Sequence, residues 1–269
     1  MDSHESPMKI LSVETATAWQ SVAILDGERV LAQQDQEARG AHAKLLLPTI
    51  DRLFKATGLS PSTLDGLVVS IGPGSFTGLR VGLATMLGFR TITQLPLAVV
   101  PTLEGMAWSL RGASTRLCPV LNSRRGELYW ALFQWESGDR LVRLVPERVG
   151  TPAMLGQQLS GPVMLYGEGW ETEQAAIRTA TPHAVMITEV AGQEMKPSAI
   201  SIGLAGIARL QRGEWAGIGV SPLYVQRPEA ELRYEQSGGI SPVARRQEKV
   251  ARMLKNRAAL AGGRMRRKA

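Results

Sequence analysis

The stretch that most constrains this chain is Ile71-Gly72-Pro73-Gly74-Ser75-Phe76-Thr77-Gly78-Leu79-Arg80-Val81-Gly82. The apolar run before it, Leu67 to Ile71, reads as a buried strand, and Leu79 to Arg90 reads as a helix. Strand, glycine-rich loop and helix in that order point to an α/β fold. Gly72 and Gly74 permit backbone angles that a Cβ forbids. Ser75 and Thr77 can satisfy the free N–H groups at the helix start. Such a loop can cradle an anion, or it can be a tight turn that lets a helix pack closely on a sheet. No Gly-Lys-Ser/Thr follows it, so it is not a Walker A loop, and its glycines are misspaced for the dinucleotide fingerprint.

The helix after the loop is apolar nearly all round. Leu79, Leu83, Met86 and Leu87 form one stripe, with Val81 and Phe89 off it. Gly78, Gly82, Ala84 and Gly88 are small enough to admit another backbone. A glycine inside a helix costs roughly 1 kcal/mol against alanine, so close packing on two sides is expected to compensate. One side is the sheet; the other is a helix of the same chain or a partner protein.

From the start, Lys9 to Glu14, Trp19 to Leu25 and Arg29 to Gln36 read as strands, with a hairpin signal at Asp26-Gly27. A helix follows over Ala41 to Thr57, with Leu46, Ile50, Leu53 and Phe54 at helical spacing. Pro48 predicts a kink or a late start, and Gly58 a stop. After the glycine loop and its helix come a short strand, Leu97 to Val100, and a helix from Pro101-Thr102 to about Leu110. The second half repeats the plan. Strands at Leu117 to Asn122, Leu128 to Trp135 and Arg140 to Val145 precede a helix opening at Thr151-Pro152. A strand at Val163 to Tyr166 and helices at Trp170 to Thr179 and Ser198 to Gln211 complete it. Two βββαβα halves predict an internal duplication: one lobe over 8–110 and a second over 111–234.

Charge separates the remainder. From Glu235 onward there are 10 Lys/Arg and 2 Asp/Glu, against 21 and 22 in the rest, so the net +7 belongs to the tail and the body is near neutral. Composition leaves three readings of 235–269: a solvated tail hinged at Ser237-Gly239, an arm for RNA backbone, or a membrane-surface segment, with Val243 to Leu260 as a basic helix. The single cysteine, Cys118, forms no internal disulfide and fits a reducing cytoplasm. No run approaches the roughly 18 apolar residues of a membrane span, and residues 1–7 lack a signal-peptide core.

Several rarer motifs occur in order. They are Ile10 to Thr17; Ala41-His42 with Leu46, Leu47 and Pro48; Gly72 to Gly82; and Asn122 with Arg124 to Tyr129. Gly167-Glu168-Gly169 and Pro222 to Arg227 complete the set. Together they resemble the bacterial TsaB (YeaZ) family of tRNA threonylcarbamoyladenosine biosynthesis proteins over about Met8 to Leu232. The resemblance implies an actin-like (ASKHA) α/β fold, two lobes of duplicated βββαβα units. It implies a non-catalytic, cytoplasmic protein that forms homodimers or pairs with the related catalytic subunit TsaD. With the ATPase TsaE, such proteins support threonylcarbamoyl transfer to N6 of adenosine 37 in tRNAs reading ANN codons. The family's first-lobe helices make the partner contacts, which puts His42, Leu46, Ile50, Leu79, Arg80, Gly82, Leu83 and Met86 on the expected interface. A Gly82→Leu change is then expected to block pairing by steric clash.

The resemblance also implies a degenerate nucleotide cleft around Glu14, Thr15, Gly72, Gly74, Ser75, Thr77 and Asn122. Two departures bear on it. Glu14 and Asn122 stand where the family usually has aspartate, which weakens any metal site. No cofactor, metal or membrane partner is expected, and tRNA contact is expected only indirectly or through the basic tail. His4, His42 and His183 form no His-Glu-x-x-His, and Ser75 lies outside a Gly-x-Ser-x-Gly elbow. The remaining enzyme alternative is an actin-fold small-molecule kinase or ATPase.

Overall fold

The computed structural model describes residues 7–136, 140–190, 196–217 and 219–226. In the first half, β1 (Lys9–Glu14), β2 (Trp19–Asp26) and β3 (Arg29–Glu37) precede α1 (His42–Thr57). Then come β4 (Gly66–Ser70), α2 (Phe76–Thr93), β5 (Leu97–Val100) and α3 (Thr102–Trp108). The second half holds β6 (Arg116–Asn122), β7 (Leu128–Glu136), β8 (Arg140–Gly150) and α4 (Pro152–Gln158). It continues with β9 (Val163–Tyr166), α5 (Glu168–Ala180), β10 (Ile187–Glu189) and α6 (Ala199–Gln211). The strand orders are β3-β2-β1-β4-β5 and β8-β7-β6-β9-β10, so the expected duplication is present. In both sheets the first three strands are antiparallel and the last three parallel.

Alternation along β1 explains why the sheet is covered on both faces. Leu11 and Val13 join α1 and α2 residues such as Leu46, Ile50, Leu83 and Met86 in one core. Ile10 points the other way, into a core with Val68, Val100 and Ile202 of α6. In the second sheet, Val120, Trp130 and Leu165 meet Leu155 of α4 and Trp170 of α5. Its other face, with Leu121, Tyr129 and Phe133, meets Leu103 and Met106 of α3. The closing helix of each half therefore packs on the sheet of the other half. α3 and α6 touch between the sheets, and residues up to Val225 form one compact unit. The lobe boundary near residue 110 separates the two sheets but not the helices that cover them. Glu104 of α3 receives Arg209 of α6 and Arg143 of β8 (2.7 Å to Arg143 Nη2), an ion-pair cluster across this layer.

Element ends differ from the sequence expectation for local reasons. α2 starts at Phe76, three residues early, because the Ser75 hydroxyl accepts the Gly78 N–H (3.2 Å) and caps it. α1 runs unbroken through Pro48, which lies on the exposed side. There the Lys44 carbonyl that loses its donor faces solvent. β8 continues to Gly150, and the three-residue edge strand β10 is too short to show as a period in the sequence. The basic region 235–269, including the expected hinge and helix, lies outside the described residues.

Candidate functional site

A cleft of about 590 Å³ opens between the two sheets at the strand ends. From the first lobe it is lined by the turn after β1, by Arg39 and His42 at the start of α1, and by Ser75, Phe76 and Thr77 at the start of α2. Asn122, Arg124, Tyr129 and Glu168 line it from the second lobe. The structure therefore gathers most of the residues expected around a nucleotide cleft.

It brings them together more tightly than a cradle requires. The Ser75 N–H donates to Ala16 O (2.6 Å), and the Thr15 hydroxyl donates to Gly78 O (2.9 Å). Gly74 has φ +154, and a Cβ there would overlap the Ala16 carbonyl. Cβ atoms at Gly78 and Gly82 would overlap the Thr15 carbonyl and hydroxyl. The β1 turn thus packs directly on the glycine loop and takes up the Ser75 N–H, one of the amides that an anion would use in a phosphate loop. Gly72 is buried beside the Leu223 carbonyl, and Thr77 lies exposed on the first turn of α2.

Glu14 completes the closure. Its carboxylate curls back so that Oε1 accepts the Ala16 N–H, an amide that would otherwise be available to an anion. The residue is 1 % exposed, and burial pushes its pKa up to about 7; the Ala16 N–H and the nearby Ser70 hydroxyl oppose that shift. Oε2 has no hydrogen-bond partner among the described residues. Asn122, at the matching end of β6, accepts from the Thr172 hydroxyl (2.9 Å) and is occupied within its own lobe. Burial also raises the pKa of Glu168; the Asn122 N–H and the Arg39 charge from the other lobe pull it back. Among the described residues no group of three or more His, Cys, Asp or Glu is arranged to hold a metal ion.

The expected interface residues divide differently. His42, Leu46, Ile50, Leu79, Gly82, Leu83 and Met86 are buried within the protomer, with His42 and Ile50 lining surface recesses; only Arg80 is exposed. The physical reason is the sheet. The long aliphatic side chains of α1 and α2 are the ones that cover β1, β2 and β4. The His42 Nε2–H donates to Thr17 O (3.0 Å), tying the start of α1 to the β1 turn, and burial lowers its pKa. The outer faces instead carry Leu47 (56 % exposed), Ala84, Gly88 and Ile92 (85 % exposed). A shallow groove between the ends of α1 and α2 is lined by Leu47, Phe54, Leu59 and Phe89.

Other cleft features were not legible as such. Tyr224 stacks on Phe76 (ring centroids 4.6 Å apart), and the Leu223 N–H donates to Ile71 O (2.7 Å). The motif near residue 222 therefore straps the glycine loop from far along the chain. Arg39 carries no sequence signal at all.

The family model described as "TsaD: tRNA N6-adenosine threonylcarbamoyltransferase" matches residues 29–234. The chain is 35 % identical to the tRNA threonylcarbamoyladenosine biosynthesis protein TsaB of Escherichia coli over 173 residues, covering 61 % of this chain and 73 % of that one. It is 26 % identical to the Bacillus subtilis protein of the same name, covering 86 % of this chain and 99 % of the relative. Among solved structures, YeaZ from Pseudomonas aeruginosa superposes with a TM-score of 0.67 at 25 % identity, covering 81 % of this chain and 99 % of that chain. The fold is thus the α/β fold of YeaZ, with two matching mixed sheets as expected from the resemblance.

Proposed function

The chain belongs to the TsaD family and within it to the TsaB (YeaZ) line, and from that premise we propose that it is a non-catalytic scaffold subunit of tRNA threonylcarbamoyladenosine formation. It pairs with a TsaD-like catalytic subunit, and alternatively with itself. With a TsaE-like ATPase, the complex transfers a threonylcarbamoyl group to N6 of adenosine 37 in tRNAs reading ANN codons. The work is placed in the cytoplasm, where the substrate tRNA is made; no described helix is long and apolar enough to cross a membrane.

One observation carries the non-catalytic part: the β1 turn and the glycine loop are hydrogen-bonded to each other through Ser75 and Ala16, with Glu14 on the Ala16 amide. Phosphoryl transfer relies on backbone N–H groups and metal ions placed around the phosphates. Here the Ser75, Ala16 and Gly78 amides are already taken up by groups of the chain itself. The pairing part is supported by the outer faces of α1 and α2, where Ala84 and Gly88 leave α2 flat between the exposed side chains of Leu47 and Ile92. Small residues of this kind let a second helix approach closely.

Reconstitution tests the reading. The purified chain is mixed with the TsaD and TsaE proteins and the threonylcarbamoyl-adenylate synthase of the same organism, then with tRNA, ATP, threonine and bicarbonate. Modified adenosine is expected to depend on this chain, and the chain alone is expected to turn over no ATP. Equal modification without it, or ATP turnover by it alone, would favour the actin-fold kinase or ATPase instead. A second expected result concerns the tail. Removing 236–269 should leave the thermal melt and pairing unchanged while weakening salt-sensitive tRNA binding, because most of the net positive charge lies there. Lost pairing would instead make the tail part of the fold.

A further inference from the structure

Cations gather at the mouth of the cleft. The body of the chain is near neutral, with 21 Lys/Arg against 22 Asp/Glu before Glu235. Even so, arginines from three separate segments meet at this rim. Arg39, from the loop before α1, and Arg124, from the β6–β7 turn, line the cleft on opposite lobes. Arg80, on the first turns of α2, lies 5.9 Å from the Phe76 ring and 5.7 Å from the Tyr224 ring, and its Nε–H donates to the Tyr224 hydroxyl (2.8 Å). Arg124 lies 5.6 Å from the same Phe76 ring, with Arg125 beside it at the exposed apex of the turn. The acidic groups near them are Glu37, an exposed ion-pair partner of Arg39 at 3.9 Å, Glu168, whose pKa is raised by burial, and Glu127 on the same turn as Arg124.

This arrangement suits a particular ligand class. The Arg80 and Arg124 guanidinium groups, held against aromatic faces, give up little rotamer freedom when they bind, so their charge is pre-organised. A small anion would need the arginines to converge on one point. Here Arg80 and Arg124 flank Phe76 while Arg39 stands on the opposite lobe from Arg124, which fits a chain of phosphates. The Tyr224 ring, in a residue 38 % exposed, adds an aromatic surface of the kind on which unpaired bases stack. We propose that this arginine-aromatic rim, formed by Arg39, Arg80, Arg124, Arg125, Phe76 and Tyr224, is a contact surface for the phosphate backbone of RNA. The choice of tRNA as that RNA rests on the scaffold reading above; the chemistry of the rim does not.

The test is fluorescence anisotropy of a labelled, unmodified transcript of an ANN-reading tRNA with the full chain. Arg39→Glu/Arg124→Glu is compared with Lys55→Glu/Arg140→Glu, an equal charge change at two surface ion pairs away from the rim. At about 0.1 M salt the rim pair is expected to bind roughly tenfold or more weakly, with the slope of log affinity against log salt reduced by about 1–2. The remote pair should stay within about twofold of wild type, since fewer phosphate contacts are lost. Thermal melts check folding, and Arg39→Gln/Arg124→Gln, which adds no new charge, should show the same order of effect in smaller measure. Equal losses in the rim and remote pairs would overturn the proposal, because bulk charge or the tail would then explain binding. Absence of saturable binding by the wild-type chain at about 0.05 M salt would overturn it as well. Pairing with the TsaD-like subunit is followed separately by size exclusion. If the wild-type chain failed to pair but the rim effect held, the scaffold reading alone would fall.

Discussion

Gly82→Leu is expected to collapse the first lobe rather than leave a folded protein that fails to assemble. The glycine faces Thr15, and a Cβ there would overlap the Thr15 hydroxyl, which donates to Gly78 O. The turn after β1 cannot retreat easily, because Ala16 and Thr17 are held by Ser75 and His42. Overpacking costs about 1–3 kcal/mol, and losing a buried hydrogen bond adds roughly 1–2 kcal/mol. A total of about 2–5 kcal/mol is a large share of the stability of a domain this size. Urea melts followed by circular dichroism would read it. Gly88→Arg makes the contrast. A Cβ at Gly88 meets nothing within 4 Å. Replacing a helical glycine should stabilise the fold by about 0.5–1 kcal/mol, while the long side chain obstructs the outer face of α2. Pairing with the TsaD-like subunit should weaken on the order of a hundredfold, equivalent to about 2.7 kcal/mol. A Gly82→Leu protein with a native melt and lost pairing, or a Gly88→Arg protein that pairs normally, would return the interface to the inner residues or remove it from this face.

Glu14→Gln is expected to make the protein more stable at neutral and alkaline pH. The carboxyl titrates near its ordinary value of 4.5 in the unfolded chain and at about 7 in the fold. Between those values the native state keeps a proton that the unfolded state has lost, so stability falls as pH rises from about 4.5 to about 7 and is flat above. At 1.36 kcal/mol per pH unit the loss is about 3 kcal/mol. Glutamine keeps an oxygen for the Ala16 N–H and has no proton to lose in this range. Its melting temperature at pH 8 should exceed that of wild type by roughly 6–12 °C, with the difference shrinking towards pH 4.5. An unchanged difference between pH 5 and pH 8 would show that Glu14 is ionised in the fold at both values.

Much of this protein was legible because local chemistry repeats. The β1–β3 hairpins, the glycine loop and the matching order of the second half follow from apolar runs, turn residues and caps that act over a few positions. The family motifs around Gly72 to Gly82 imply the two-lobed fold from sequence alone. The candidate site was legible by identity and not by role. Gly74 and Ser75 line the cleft while Glu14 and Thr15 are buried behind it, and nothing local says that Glu14 would turn onto the Ala16 amide.

The interface residues show the limit most directly. The helical periods of α1 and α2 mark Leu46, Ile50, Leu83 and Met86 as one kind of surface, because period alone cannot say whether an apolar stripe meets a sheet or a partner. The sheet claims that stripe, and the residues left outside are the small and isolated ones, Ala84, Gly88, Leu47 and Ile92. In the same way, the stacking of Tyr224 on Phe76, 148 positions away, depends on the path of the strap after α6. Periodicity, turn chemistry and motif order determined the elements and their repetition, since each depends on neighbours in the chain. Only the tertiary structure decided which face of each helix is spent on the core and which distant side chains share the cleft. Those outcomes depend on competition for the same sheet surface, and no local pattern records its result.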